Sequence, residues 1–448
     1  MKNSIKIAAA AAAALVSTSS VYAAGFMLSE QSVAGLGRAY AGAGIVGDDL
    51  SAVWYNPAGM VLLPGTQVQA GGVYVDLDLS YKGDNGETEN GSKYGVPIPN
   101  FFFTRQMNDS MWFGLGLTVP YGLATEYSRT WGQIDRGMNA EIKVFDLNPN
   151  IAWKVSDKLS IGAGISLQYA DAQYETGALG GMGYGRLDVD SFAWGANIGV
   201  MWSPTETLRF GLSYRSQVNH HADGDLRVGL TKTGGDVIGG TSLPIDSSNR
   251  GYLATFADAS ASLSAPQTVL LTGTWEATPK LRLSALIRWA DWSSFDTLTV
   301  NVNPSSLSVN VPGISNNPGL METIQQVLGN ALPIEVENKW QDTWLFTIGA
   351  DYVINNAWTV RAGVGYETSP IDDDRYRTAL IPDSERLWLS IGATWHVTEN
   401  LQGDFGFTWL HGLGDAPLYS SDGAEGTRVG EFDTLDAYLF GAQMVYRF

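Results

Sequence analysis

The chain has 448 residues, no cysteine, 15 Trp, 19 Tyr, 16 Phe and 52 Gly, and its 27 basic against 46 acidic residues give a formal charge of -19. That balance excludes a nucleic-acid partner, which needs a basic footprint to displace counterions, and the lack of Cys removes disulfides, thiolate metal sites and Cys nucleophiles together. Mean hydropathy is -0.05, and no run of about 18 apolar residues follows residue 24, which excludes membrane helices but not a membrane barrel, whose strands hide apolar residues by alternation.

In chain order, residues 1–23 are predicted to be a signal peptide. Lys2 and Lys6 form a basic start, Ile5 to Val16 is an Ala-rich apolar run too short to span a bilayer, and Val21-Tyr22-Ala23 offers a cleavage box before Ala24. Residues 24–65 lack alternation, and 32–41 are weakly helical. From residue 66 onward the pattern has period two. Trp358, Val360, Ala362, Val364 and Tyr366 alternate with Thr359, Arg361, Gly363, Gly365 and Glu367, so each segment has one apolar and one polar or small face.

Fourteen strands are predicted: 66–80, 97–107, 111–121, 139–155, 158–175, 188–203, 206–221, 250–277, 281–301, 335–353, 357–368, 385–397, 401–411 and 433–448. Pro266 marks a bulge in the eighth. The strands are longer than the five or six residues usual in globular sheets. Trp153, Tyr169, Trp202, Trp289, Trp292, Trp395 and Trp409 sit at strand ends, where a lipid-facing barrel carries aromatic girdles. Short turns alternate with long polar or Gly-rich stretches near 81–97, 121–138, 176–187, 222–249, 302–334, 369–384 and 412–432. The expectation is an all-β, fourteen-stranded antiparallel transmembrane barrel over 66–448 in an outer membrane. A lumen of that width is open unless filled, so 24–65 is expected to be an N-terminal hatch.

Ala24-Gly25-Phe26, Gly35-Leu36-Gly37-Arg38-Ala39-Tyr40 and Asn56-Pro57-Ala58 resemble the hatch of the FadL family of outer-membrane long-chain fatty-acid and hydrophobic-compound transporters. Tyr121-Gly122-Leu123-Ala124-Thr125-Glu126, Tyr214-Arg215-Ser216, Ile381-Pro382-Asp383 and Tyr446-Arg447-Phe448 are also similar to that family. The resemblance implies passive uptake of hydrophobic molecules by a monomer, without a cofactor, and release into the membrane lipid through an inward kink in the third strand. Phe113-Gly114-Leu115-Gly116 is the kink candidate, because Gly permits bulges; alternatively these glycines face a crowded lumen. Asn56-Pro57-Ala58 is by itself a turn, and by resemblance touches the kinked strand.

Within 302–334, Leu320, Ile324, Val327 and Leu328 recur at helical spacing and suggest a capture groove, or a loop helix packed on its neighbours. The family's carriers meet the ligand carboxylate with basic residues. Here Asp171, Gln173 and Glu175 stand near the end of the fifth strand, and Gln341 stands in the tenth. Lys339, Arg282, Arg288 and Arg361 are the remaining candidates, although lumen arginines also serve as ion-paired filler. A neutral ligand such as a monoaromatic hydrocarbon is the alternative, and a general hydrophilic porin a second. No enzyme site is composed: His220, His221, His396 and His411 lie in no nucleophile motif, with His220-His221 expected at a solvated rim. Asp372-Asp373-Asp374 lacks the spaced oxygens of a Ca²⁺ loop, and no metal is expected.

Overall fold

The computed structural model describes residues 26–91, 95–128, 130–134, 137–178, 183–231, 250–306, 308–309, 334–420 and 426–448. The predicted signal segment lies outside them. Fourteen strands form one antiparallel barrel in chain order: β1 (Thr66–Gly83), β2 (Val96–Gln106), β3 (Met111–Glu126), β4 (Asn139–Ser156), β5 (Leu159–Ala178) and β6 (Gly183–Trp202). Next come β7 (Leu208–Arg215 and Val218–Thr231), β8 (Arg250–Ala265 and Thr268–Thr278), β9 (Leu281–Ala290 and Thr297–Val302) and β10 (Ile334–Glu337 and Thr343–Val353). β11 (Trp358–Glu367), β12 (Arg386–His396), β13 (Leu401–Gly412) and β14 (Arg428–Arg447) complete the wall. Pairing of β1 with β14, from Gln67↔Arg447 to Gly83↔Gly430, closes it.

The alternation is inside out. On β4, Phe145, Leu147, Ile151 and Trp153 point outward and are exposed, whereas Asp146, Asn148 and Asn150 point inward and are buried. Lipid is the solvent that suits such an outer face, since each apolar side chain moved from water to hydrocarbon gains roughly 1.5–3 kcal/mol. The Pro266 interruption splits β8 in two while the count stays at fourteen. The break runs on through its neighbours, at Ser216–Gln217 in β7, Asp291–Asp296 in β9 and Asn338–Asp342 in β10. Trp292 accordingly leaves the predicted girdle: it falls in a 3₁₀ turn of the β9 break and is buried.

Residues 26–65 fill the lumen. The helical stretch predicted over 32–41 shrinks to one turn, α1 (Val33–Leu36), capped by Ser32 Oγ accepting from Gly35 N at 2.7 Å. Ala39 and Tyr40 then take left-handed backbone (φ 53° and 61°) and reverse the chain. α2 (Ala52–Tyr55) and a 3₁₀ turn (Pro57–Leu62) follow. The hatch backbone rests directly on barrel backbone where inward wall positions are Gly. A Cβ on Gly392 would lie 2.8 Å from Gly37 Cα, and one on Gly349 would lie 2.7 Å from the Arg38 carbonyl oxygen.

Charge completes the seat. Arg38 donates to both carboxylate oxygens of Asp48 at 2.6 and 3.1 Å and reaches Asp351 at 3.3 Å. Arg361 on β11 meets Asp351 at 2.8 Å, Asp48 at 3.1 Å and Asp404 at 3.5 Å. Burial alone would raise the Asp48 carboxyl, but Arg38 and Arg361 hold it far below the usual carboxylate range. Removing one partner of a buried network costs about 3–5 kcal/mol.

Arg38→Gln is therefore expected to unseat the hatch while the barrel still inserts, so that planar-bilayer recordings show ion currents larger than those of the wild type. On the outer face, Ile391 is 61% exposed at the centre of β12. Ile391→Arg should cost about 2–4 kcal/mol in urea unfolding from liposomes, the depth-dependent cost of a lipid-facing cation, while Ile391→Leu stays near neutral.

Candidate functional site: an apolar chamber and a broken ladder

The β2–β3 ladder runs from Gln106↔Trp112 to Phe101↔Leu117 and stops. Beyond it β2 pairs with β1 through Val75↔Val96, while β3 continues against β4 with a register shift between Thr118 and Tyr121. Pro120 has no N–H to donate to a ladder. The β3 edge so vacated is taken by the chain's own N-terminal residues. Leu28 N donates to Pro120 O at 2.8 Å, Gly122 N to Phe26 O at 2.9 Å, and Gln31 Nε2 to Val119 O at 2.7 Å.

The irregularity in β3 thus falls at Thr118–Tyr121 and not at Phe113, Gly114, Leu115 and Gly116, which stay in regular register with β2 and β4. Gly114 faces Met60 and Val53 of the hatch, and Gly116 faces Phe102 and Val53; the crowded-lumen alternative describes them. Asn56-Pro57-Ala58 meets β5, β6 and β7. Asn56 accepts from Ala58 N at 3.1 Å and donates to Val200 O at 3.1 Å, Ser160 Oγ donates to Ala58 O at 2.9 Å, and Gly162 and Gly199 leave the room.

Above the hatch the inward faces change character. Ala140, Ile142, Ala170, Ala172, Leu187, Val189, Ala222, Ala261 and Leu263 line an apolar cavity of roughly 70 Å³. A second cavity of roughly 60 Å³ lies against the hatch, walled by Leu28, Tyr40, Trp54, Tyr55, Pro120, Tyr121, Leu270, Leu286 and Leu345, with Arg215 and Arg288 facing it. Phe26 stands between the two spaces. Its ring lies 5.6 Å from Tyr121, which lines the lower cavity, and 6.2 Å from Phe295, which lines the upper; Trp292 and Trp340 extend this cluster.

Of the four basic candidates, Arg288 lines the lower cavity, donating to Ser29 Oγ and the Glu367 carboxylate, both at 2.6 Å. Arg282 lies near the short β8–β9 turn, paired with Glu276 at 2.7 Å, and Arg361 belongs to the hatch seat. Lys339 falls in the β10 break, where inward and outward parity no longer holds; it is exposed and donates to Tyr376 OH at 2.7 Å. Asp171 faces outward, Gln173 accepts from Arg186 at 2.9 Å, and Gln341 donates to Ser369 O at 3.1 Å. Leu320, Ile324, Val327 and Leu328 lie outside the described residues. His220 is buried rather than at a rim, bonded to Ser191 Oγ at 2.8 Å and Gln168 Oε1 at 3.1 Å. Sequence reasoning assigned no role to Arg215, although inward parity with Ser213 and Gly211 marks it.

The sequence profile of the family described as outer membrane protein transport protein (OMPP1/FadL/TodX) matches residues 14–448. The chain belongs to this family. It is 28% identical to the long-chain fatty acid transport protein of Escherichia coli O6:H1 strain CFT073, over 99% of this chain and 98% of the relative. It is 27% identical to outer membrane protein P1 of Haemophilus influenzae, over 90% and 89%. The crystal structure of a Pseudomonas aeruginosa FadL homologue superposes with TM-score 0.78 at 24% identity, covering 95% of this chain and all of that one. That of the P. putida toluene transporter TodX gives 0.67 at 18%, covering 89% and 94%. As a member of this family the chain is an outer-membrane β-barrel transport protein.

Glu30 sits in the N-terminal segment that occupies the β3 edge. Burial, helped by Glu367, pushes its carboxyl up to about 7, against the pull of its own backbone N–H and Arg288. The neutral form is thus favoured in the docked segment. Its contribution is full below the unfolded value near 4.5 and is lost as pH rises to about 7, a difference on the order of 3 kcal/mol. Hydrogen exchange of residues 26–31, corrected for intrinsic rates, should show weaker protection at pH 8 than at pH 5. Glu30→Gln should flatten that dependence.

Proposed function

We propose that the chain is a passive uptake channel for long-chain fatty acids that releases its ligand sideways, through the wall where β2 and β3 part. The mature chain on this reading begins at Ala24, residues 24–65 are the hatch, and 66–448 the barrel; it acts as a monomer, with membrane lipid as the receiving phase. The observation that carries the proposal is the β2–β3 ladder ending at Phe101↔Leu117 beside an apolar lower cavity.

The energetics favour this route. Each buried CH₂ favours an apolar site by roughly 0.8 kcal/mol, so a C16 chain held in the barrel is stabilised by about 12 kcal/mol relative to water. Release downward into water would forfeit that; release into hydrocarbon keeps it. The N-terminal residues that fill the β3 edge are the natural bolt, because their displacement frees the edge and removes Phe26 from between the cavities. Uptake of monoaromatic hydrocarbons by the same path is the second reading, favoured by a chamber lined with Ala and aromatic side chains and few polar groups. The hydrophilic-porin alternative is opposed by the filled lumen.

The chain has no cysteine, so an engineered pair is addressed cleanly. Asn100→Cys with Thr118→Cys marks the first positions beyond the ladder's end. Bridging them with a reducible bis-thiosulfonate reagent should stop uptake of labelled oleate, and reduction should restore it. Uptake that continues through the bridged barrel would rule out the sideways route. Transport of toluene without oleate would replace the fatty-acid reading with the aromatic one.

A further inference from the structure

We propose that Arg215 is the carboxylate anchor of the lower cavity, holding the head group of an acid ligand while the hydrocarbon chain lies along the apolar lining. This deepens the fatty-acid reading and rests on it. Arg215 ends the lower segment of β7 and faces the cavity beside Trp54 and Tyr121. Its guanidinium is buried, and every partner it has is neutral: Trp54 O at 3.0 Å, Ser166 Oγ at 3.3 Å and Asn148 Oδ1 at 3.3 Å. The group also lies over the Trp54 ring, with its central carbon 3.5 Å from the ring centroid.

The other lumen arginines differ. Arg288 across the cavity holds Glu367, Arg282 holds Glu276, and Arg38 and Arg361 share Asp48 and Asp351. Among the described residues Arg215 forms no ion pair. Asp146, the carboxylate on its polar network, is reached only through Ser166 and is bonded by Ser166 and Gln168. Asp146 acts on Arg215 through space but does not touch it, a buried cation without a contacting carboxylate is costly, and a planar guanidinium fork matches a carboxylate in two-point geometry. Leu270, Leu286 and Leu345 supply the apolar walls beside it. With Arg288 already held by Glu367, Arg215 is the cavity's cation without a contacting carboxylate beside a largely apolar wall, the complement of an acid with a hydrocarbon tail, and it discriminates against alcohols and hydrocarbons of equal length.

The test is equilibrium dialysis of radiolabelled oleate and oleyl alcohol against the detergent-solubilised full-length protein. Wild type should prefer oleate. Arg215→Gln should weaken oleate about 10- to 100-fold, the range for a lost charge-assisted hydrogen bond, and leave oleyl alcohol within about twofold, which also certifies the fold. Arg215→Lys should recover part of the preference, and Lys339→Ala should change neither ligand. Unchanged oleate binding by Arg215→Gln, or equal loss of both ligands, overturns the anchor while leaving the uptake reading standing. Wild type that binds the alcohol or toluene but not oleate overturns the fatty-acid reading on which the anchor rests.

Discussion

Everything in this barrel depends on how closely the hatch backbone approaches the wall. Fourteen strands enclose a lumen that wall side chains cannot close. The gap is filled by a second layer of backbone, set against wall positions that carry no side chain. Where Gly37 meets Gly392 and the Arg38 carbonyl meets Gly349, two main chains touch with nothing between them. Polar groups carried into that contact need partners, and the Arg38, Arg361, Asp48 and Asp351 network provides them. Close packing and buried charge thus act on the same few residues, each requiring the other.

Against this rigid seat, one stretch of hatch plays a different part. Phe26 to Gln31 completes the ladder on β3 that β2 abandons, and so belongs to plug and wall at once. Leu28 of this segment lines the lower cavity, and Phe26 reaches Phe295 of the upper one. A change in that segment is felt at the lumen and at the membrane face together. The remaining hatch, bolted by Arg38, has no need to move.

Much of the architecture was legible because a strand residue's face follows from parity. Strand count, lipid-facing rows and the start of the barrel at residue 66 all follow from that rule. Parity fails where strands break. Trp292 and His220 depart from the expected positions, and Lys339 leaves the ladder, because the β9 and β10 interruptions, and the extension of β7 beyond its own, carry no strong mark in the local pattern. Gly114 and Gly116 suggest an irregularity because glycine permits a bulge, whereas Pro120, which forbids a ladder bond, sits at the register shift. The ionic state of each arginine was hidden for another reason: Arg38 and Asp351 stand 313 positions apart, and only the closed barrel shows which cations are already satisfied.

The hatch's seat also has a history within each molecule. Val33 N donates to Gln443 Oε1 across 410 positions of sequence, and Leu36 packs against Gly441 on the last strand. The surface that receives the N-terminal segment does not exist until the final strand has joined the first. Contacts of such separation form late, after the entropy of closing the whole chain has been met. The hatch residues, which precede every strand of the wall, therefore find their places last. In the interval, an apolar N-terminal segment and a set of unpaired strands must be kept from other chains, which makes periplasmic escort and barrel closure a single kinetic problem.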